Sequence, residues 1–332
     1  MKLFKKKKII NLPALPSSWN ELTTEQLEGI VRIRTRLAML MANEEKRGDA
    51  EYRLQVFLLL GGFKVMHKVV KNDDGTFTYL LQRRGIKPWL LMERLPFQSW
   101  EIAYWIDKYL KFLDEPMERT LPPYTFIRRY GHCFKCPEAL MTDVTYQQHS
   151  AAQAYLINYW DNVKLLEAQL GNGGSKKSIR EIQRNIREAR ANFLATLFTS
   201  SSLQVQVGSE GEVRRVHRKT WTYDAVTAEQ NVRYFRHGSH VLFAVMSQFF
   251  QSVQVYFKRS FPDLFTSHSN GTEKDPLIME TEMLNAIMKY AGFKDYQSIY
   301  DSNSVFIFGV MNNMSKEAKV IEDMNAKMKR RH

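Results

Sequence analysis

The sequence predicts a mainly α protein, a multi-helix bundle in two subdomains with one small β-hairpin. Three observations lead there. Apolar residues recur at three- and four-residue steps along most of the chain, which gathers them on one face of successive helices. Capping residues precede these stripes, and Gly or Pro follows them. Only residues 64–82 change to the pattern of a β-hairpin.

The elements follow in order. Thr23 and Gln26 have the spacing of a capping box, and Leu22 is placed to staple onto Leu27. Leu27, Ile30, Val31, Leu37, Leu40 and Met41 then recur at helical spacing, and Lys46-Arg47-Gly48-Asp49 is expected to end that helix in a loop. A second helix runs to about Leu60 and stops at Gly61-Gly62, which suit a left-handed C-terminal cap. Two β-rich runs, Lys64–Val70 and Thr76–Leu81, flank Asn72-Asp73-Asp74-Gly75, a hairpin signal. Ser99 is expected to cap an aromatic-rich helix, after which Pro116, Pro122 and Pro123 break the chain. That connector divides the chain into a basic tail (1–17), an N-terminal helical subdomain with the hairpin (18–121) and a C-terminal helical subdomain (122–332).

In the second half, one helix spans roughly Thr145 to Leu170. The loop Asn172-Gly173-Gly174-Ser175 leads to another, whose stripe is Ile179, Ile182, Ile186, Ala189, Phe193, Leu194 and Leu197, so an antiparallel helical hairpin is expected. Residues 200–216 suggest a loop or a weak hairpin. Thr227 with Gln230 predicts a capping box opening a long helix through Phe257. Asp275-Pro276 starts a helix that stops at Gly292, Asp295 starts a short one, and Ser315 is expected to cap the last.

Composition narrows the function classes. The 332 residues carry 48 Lys and Arg against 35 Asp and Glu, a net charge of +13. An apolar content of 44% excludes wholesale disorder, and two cysteines exclude a disulfide scaffold. Lys5–Lys8 and Lys327–His332 are dense basic clusters, read first as solvated tails. The stretch His240–Phe257 lacks charges, but Ser247, Gln248, Gln251 and Gln254 line one face, so it reads as a core helix and no membrane partner is expected. The start of the chain lacks the apolar run of a secretory signal, and the expected compartment is the cytoplasm of a host cell.

No motif makes a persuasive reaction centre. Cys133 and Cys136 have the Cys-x-x-Cys spacing of a zinc turn, with His132 adjacent and His149 downstream, but the ligand set is incomplete. Gly171–Ser178 lacks the consecutive Gly-Lys-Ser/Thr of a phosphate-binding loop. His237 and His240 lie three apart without an accompanying Glu, Ser239 lacks a nucleophile-elbow setting, and Phe235, His237 and Phe261 are expected to pack. We therefore expect no enzyme, no catalytic residues, no cofactor and no metal. Arg83-Arg84, Arg128-Arg129 and the cluster Arg214, Arg215, His217, Arg218 and Lys219, near Trp221 and Tyr223, leave nucleic acid as an alternative partner. Methionine-rich helices at Ile278–Met288 and Met311–Met328 offer adaptable surfaces for a partner helix.

The stretch Ser18-Trp19-Asn20-Glu21-Leu22-Thr23-Thr24-Glu25-Gln26-Leu27 resembles the W-x-E-L-T-x-x-Q-L opening of tailed-phage and prophage proteins from gut bacteria. Cys136–Leu140, Asn192–Phe198, Arg233–Phe235, Phe261–Phe265 and the region from Asp301 to Lys327 are similar to their helical body. The resemblance implies a tail-assembly factor that chaperones a tape-measure protein during tail construction. It implies a polypeptide partner and carries over no catalytic residue.

Overall fold

The computed structural model describes residues 14–40, 45–71, 77–83, 95–115, 117–207, 213–219, 223–266 and 276–329. The protein is mainly α, as its apolar stripes predict, and it divides into two compact units, Met1–Arg119 and Thr120–His332.

In the first unit, α1 (Thr24–Leu40) opens on the capping box. The Thr23 amide donates to Gln26 Oε1 at 2.9 Å and the Gln26 amide to Thr23 Oγ1 at 3.3 Å, while Leu22 and Leu27 are both buried. The loop expected at Lys46–Asp49 is instead the first turn of α2 (Glu45–Leu60). Gly48 costs a helix only about 1 kcal/mol relative to Ala, and the Asp49–Arg53 ion pair at 2.9 Å supports the turn. The helix stops where expected, with Gly62 at φ +67°. Strands β1 (Phe63–Lys71) and β2 (Phe77–Arg83) pair antiparallel, Phe63 against Arg83 through Lys71 against Phe77. The Asp-Gly turn between them lies outside the described residues. A third strand, β3 (Leu95–Gln98), joins β2; its Pro96 is tolerated because the strand is at the sheet's edge. Then α3 (Ser99–Tyr109) is capped one residue earlier than expected, the Gln98 amide donating to the Glu101 carboxylate at 2.9 Å. Arg119 is buried, and its Nη1 donates to the carbonyls of Trp19 at 2.6 Å and Leu22 at 3.1 Å.

The second unit opens on a hairpin that the sequence reading missed, β4 (Phe126–Arg129) and β5 (His132–Lys135). Its two turn residues, Tyr130 at φ +48° and Gly131 at φ +83°, both have the positive φ that two-residue hairpin turns of the primed kind demand. Next come α4 (Tyr146–Gly171), capped by Thr145, and α5 (Lys176–Leu197), capped by Ser175, forming the expected helical hairpin. Residues 200–216 realise the hairpin alternative: β6 (Thr199–Val207) and β7 (Val213–Lys219) extend the sheet to the order β4-β5-β6-β7.

The long helix expected from Thr227 is broken. Asp224, not Thr227, caps α6 (Ala225–Asn231), accepting from the Val226 and Thr227 amides. The chain then bends through residues 232–239, with Gly238 at φ +60°, before α7 (His240–Ser260). The uncharged stretch His240–Phe257 is the buried centre of this unit: Leu242, Phe243, Val245, Met246, Phe249, Phe250, Val253 and Phe257 are buried, and Phe193 meets Phe243 and Phe250 edge-on. Among the described residues, no helix is long and apolar enough to cross a membrane.

After α8 (Pro262–Thr266), α9 (Pro276–Ala291) ends at Gly292, φ +73°. The expected cap Asp275 lies outside the described residues. Asp295 caps α10 (Tyr296–Asp301) as predicted. The final helix, α11 (Ser304–Lys329), is capped well before the expected Ser315: Asn303 Oδ1 accepts from the Val305 and Phe306 amides and caps it there.

Candidate functional site

The bend between α6 and α7 gathers cations and aromatic rings from three elements. His132 and Phe134, two residues apart on β5, point to the same face of the strand; Phe134 is buried at its inner end, and His132 is exposed next to the turn. Phe134 packs edge-on to Phe235, which stacks on Phe198, all three fully buried. Above them, the His132 ring sits 4.5 Å from Tyr234, with Nε2 3.0 Å from the Tyr234 hydroxyl. The Arg233 guanidinium covers the same tyrosine at 4.8 Å and donates to its hydroxyl at 2.8 Å. Tyr130 at the hairpin tip is 67% exposed and lies 6.3 Å from Tyr234.

The bend itself is held by cations. Arg129 Nη2 donates to the Gly238 carbonyl at 3.4 Å, and Arg236 pairs with Glu188 at 2.9 Å. Ser239 is fully buried and donates its hydroxyl to the Phe235 carbonyl at 2.7 Å. It therefore does not cap α7, and the helix begins without a side-chain cap. Beside that start, Arg190 of α5 is only 3% exposed. Its Nη1 lies 2.5 and 3.1 Å from the two ring nitrogens of His240, the first residue of α7. Its Nε is buried without a hydrogen-bond partner among the described residues. Burial lowers the Arg190 pKa from the ordinary arginine value; the Tyr159 hydroxyl opposes this, and repulsion from Arg187 adds to it. Burial and then the Arg190 charge lower the His240 pKa, so the imidazole is held neutral against its cationic neighbour.

The sequence-noted residues fall in several places. The zinc-like spacing does not assemble a centre: Cys133 is half-buried, and Cys136 is buried with its sulfur 3.8 Å from the Met246 sulfur. His149 lies in the aromatic core, stacked at 5.2 Å on Phe250 and edge-on at 4.9 Å to Phe308. Its Nε2 is 2.5 Å from Gln254 Nε2, and burial lowers its pKa to about 4. Among the described residues, no group of three or more His, Cys, Asp or Glu side chains could hold a metal ion. Gly171–Ser175 is the turn of the helical hairpin. His237, expected to pack, is exposed, whereas Phe235 is fully buried. Arg214, Arg215, His217, Arg218 and Lys219 lie on β7, paired with Gln206 through Ser201 of β6; Trp221 lies outside the described residues.

The sequence reading missed Arg190. A signal for it existed: four residues after Ile186 and three before Phe193, it falls on the apolar stripe of α5, where a charge is out of place. No protein-family model, no curated protein and no solved structure matches this chain. The functional reading therefore rests on the surfaces themselves.

Proposed function

We propose that the chain is a non-enzymatic tail-assembly factor of a phage or prophage, acting in the host cytoplasm and holding helical segments of a tape-measure-like polypeptide. One observation carries the reading. The last turns of α11 leave Val320, Ile321, Met324 and Met328 each more than half exposed on neighbouring positions of one helix face. That apolar stripe is continuous with a shallow groove lined by Tyr290, Asn313, Lys316, Glu317, Val320 and Ile321. Pliable thioethers suit contact with varied apolar ridges along a long helical client. The resemblance of Trp19–Leu27 to the opening of phage tail proteins supports the same partner class.

The test is co-expression of the full chain with the tape-measure-like protein of the same phage. A stable complex is expected, and Ile321→Ser with Met324→Ser should disrupt it while leaving the fold intact. A tape-measure-like protein that never co-purifies contradicts the reading.

A second reading, a nucleic-acid-binding accessory protein, is favoured by the rings of Tyr130, His132 and Tyr234 interleaved with Arg129, Arg233 and Arg236. Cations hold phosphates and exposed rings stack on bases. Fluorescence anisotropy with a single-stranded oligonucleotide should then give an affinity that falls with salt by roughly one log-log unit per phosphate contact. No retention at low salt removes this reading.

A further inference from the structure

A buried cation requires compensation, and Arg190 has none of the usual kind. A guanidinium offers five N–H donors in a fixed fork, and burying it unpaired is costly. Among the described residues the only hydrogen-bonding group it meets is the His240 ring, a neutral group that cannot balance its charge. Its Nε has no acceptor among them. Tyr159, a neutral phenol, interacts favourably with it but brings no carboxylate; Arg187 repels it, and Arg236 and Arg129 brace the bend that leads into α7, with Glu188 already committed to Arg236. The His240 that it touches opens a 21-residue helix whose N-cap serine has turned its hydroxyl away, so the positive end of that helix dipole lies at the same residue and lacks a side-chain cap. His240 is exposed, which leaves this place reachable from solvent.

We propose that Arg190, His240 and the first turn of α7 form a binding site for a phosphate group. The buried fork and the helix amides supply directional donors, and His240 supplies one more when protonated or in the appropriate tautomer. Arg187, which acts on Arg190, and the cations Arg129 and Arg236 at the bend leading into α7 favour a multiply charged tetrahedral anion over a single carboxylate. The site rests on neither reading of the previous subsection, because its requirement is set by the charge of Arg190 alone. Its phosphate can be free, as inorganic phosphate or a small monoester, or part of a nucleic-acid backbone.

Calorimetric titration of the full chain with inorganic phosphate, in a buffer free of phosphate and sulfate, tests it. Saturable binding is expected, weakened at least about tenfold in Arg190→Met, the scale of one charge-assisted hydrogen-bonding contact. His240→Asn, at an exposed position that leaves the fold in place, should weaken it severalfold and reads the site without altering the buried cation. A parallel titration with a single-stranded oligonucleotide identifies the source. Oligonucleotide binding competed by phosphate and lost in Arg190→Met supports a backbone phosphate, and phosphate binding without oligonucleotide binding supports a small ligand. The assignment is overturned if neither probe binds, if neither variant moves the affinity, or if acetate competes as well as phosphate.

Discussion

Two arginines are buried to nearly the same extent, one in each unit, and they are treated differently. Arg119 is 4% exposed and donates to two backbone carbonyls, so it ties the Trp19–Leu22 turn to the end of its unit. Arg190 is 3% exposed, and among the described residues it hydrogen-bonds only with the ring of His240. The lesson is that burial alone does not mark a functional charge. A cation whose donors are taken up by the chain is architecture, whereas one left with open donors beside an uncapped helix is built for something that arrives later.

His149 is a third buried polar group, and its partner Gln254 makes it architectural like Arg119. Its folded pKa of about 4 lies below the ordinary 6.5, so the unfolded chain takes up the proton first as pH falls. Stability should therefore be fully present above pH 6.5 and decline between 6.5 and 4 by about 3.5 kcal/mol at most, since each pH unit between the two values corresponds to about 1.4 kcal/mol. Urea denaturation across that window checks this, and His149→Gln should flatten the slope. An unchanged slope in the variant would remove His149 as its cause.

Arg119→Met should cost about 2 kcal/mol, because a buried and a part-buried carbonyl lose their donor. Equilibrium denaturation measures it, and a neutral result would erase the distinction between the two arginines. A smaller effect is expected at the helix caps. Thr145 accepts from the Gln148 amide at the start of α4, so Thr145→Ala should lose about 1 kcal/mol by the same measurement. The contrast sharpens at α7, where Ser239 performs no such capping.

Much of the fold was legible in the sequence because helices advertise themselves locally. The stripe on α5, the Thr23–Gln26 box and the Asp295 cap each need only a handful of neighbouring residues, and each formed as expected. The β4–β5 hairpin was not legible, because a tyrosine at positive φ has no sequence signature and four-residue strands show too little alternation. The break before α7 was hidden by competition: Thr227 and Gln230 fit a capping box, but Asp224 three residues earlier supplies a stronger acceptor. Ser315 was misplaced for a similar reason, since Asn303 had already started the helix. At the candidate site, the Arg128-Arg129 pair and the two histidines drew notice from sequence. What binds them into one place is tertiary: a hairpin tip, a bend and one arginine on an apolar stripe.

The most direct test of the central claim is the unfolding free energy of Arg190→Met beside wild type in phosphate-free buffer. Methionine keeps most of the stem and removes only the uncompensated charge. The variant should lie within about 1 kcal/mol of wild type, or be more stable, because an unpaired buried charge contributes no net stabilisation. A loss of about 3 kcal/mol or more would show that the guanidinium holds the unit together, and would contradict the claim that it waits for a ligand.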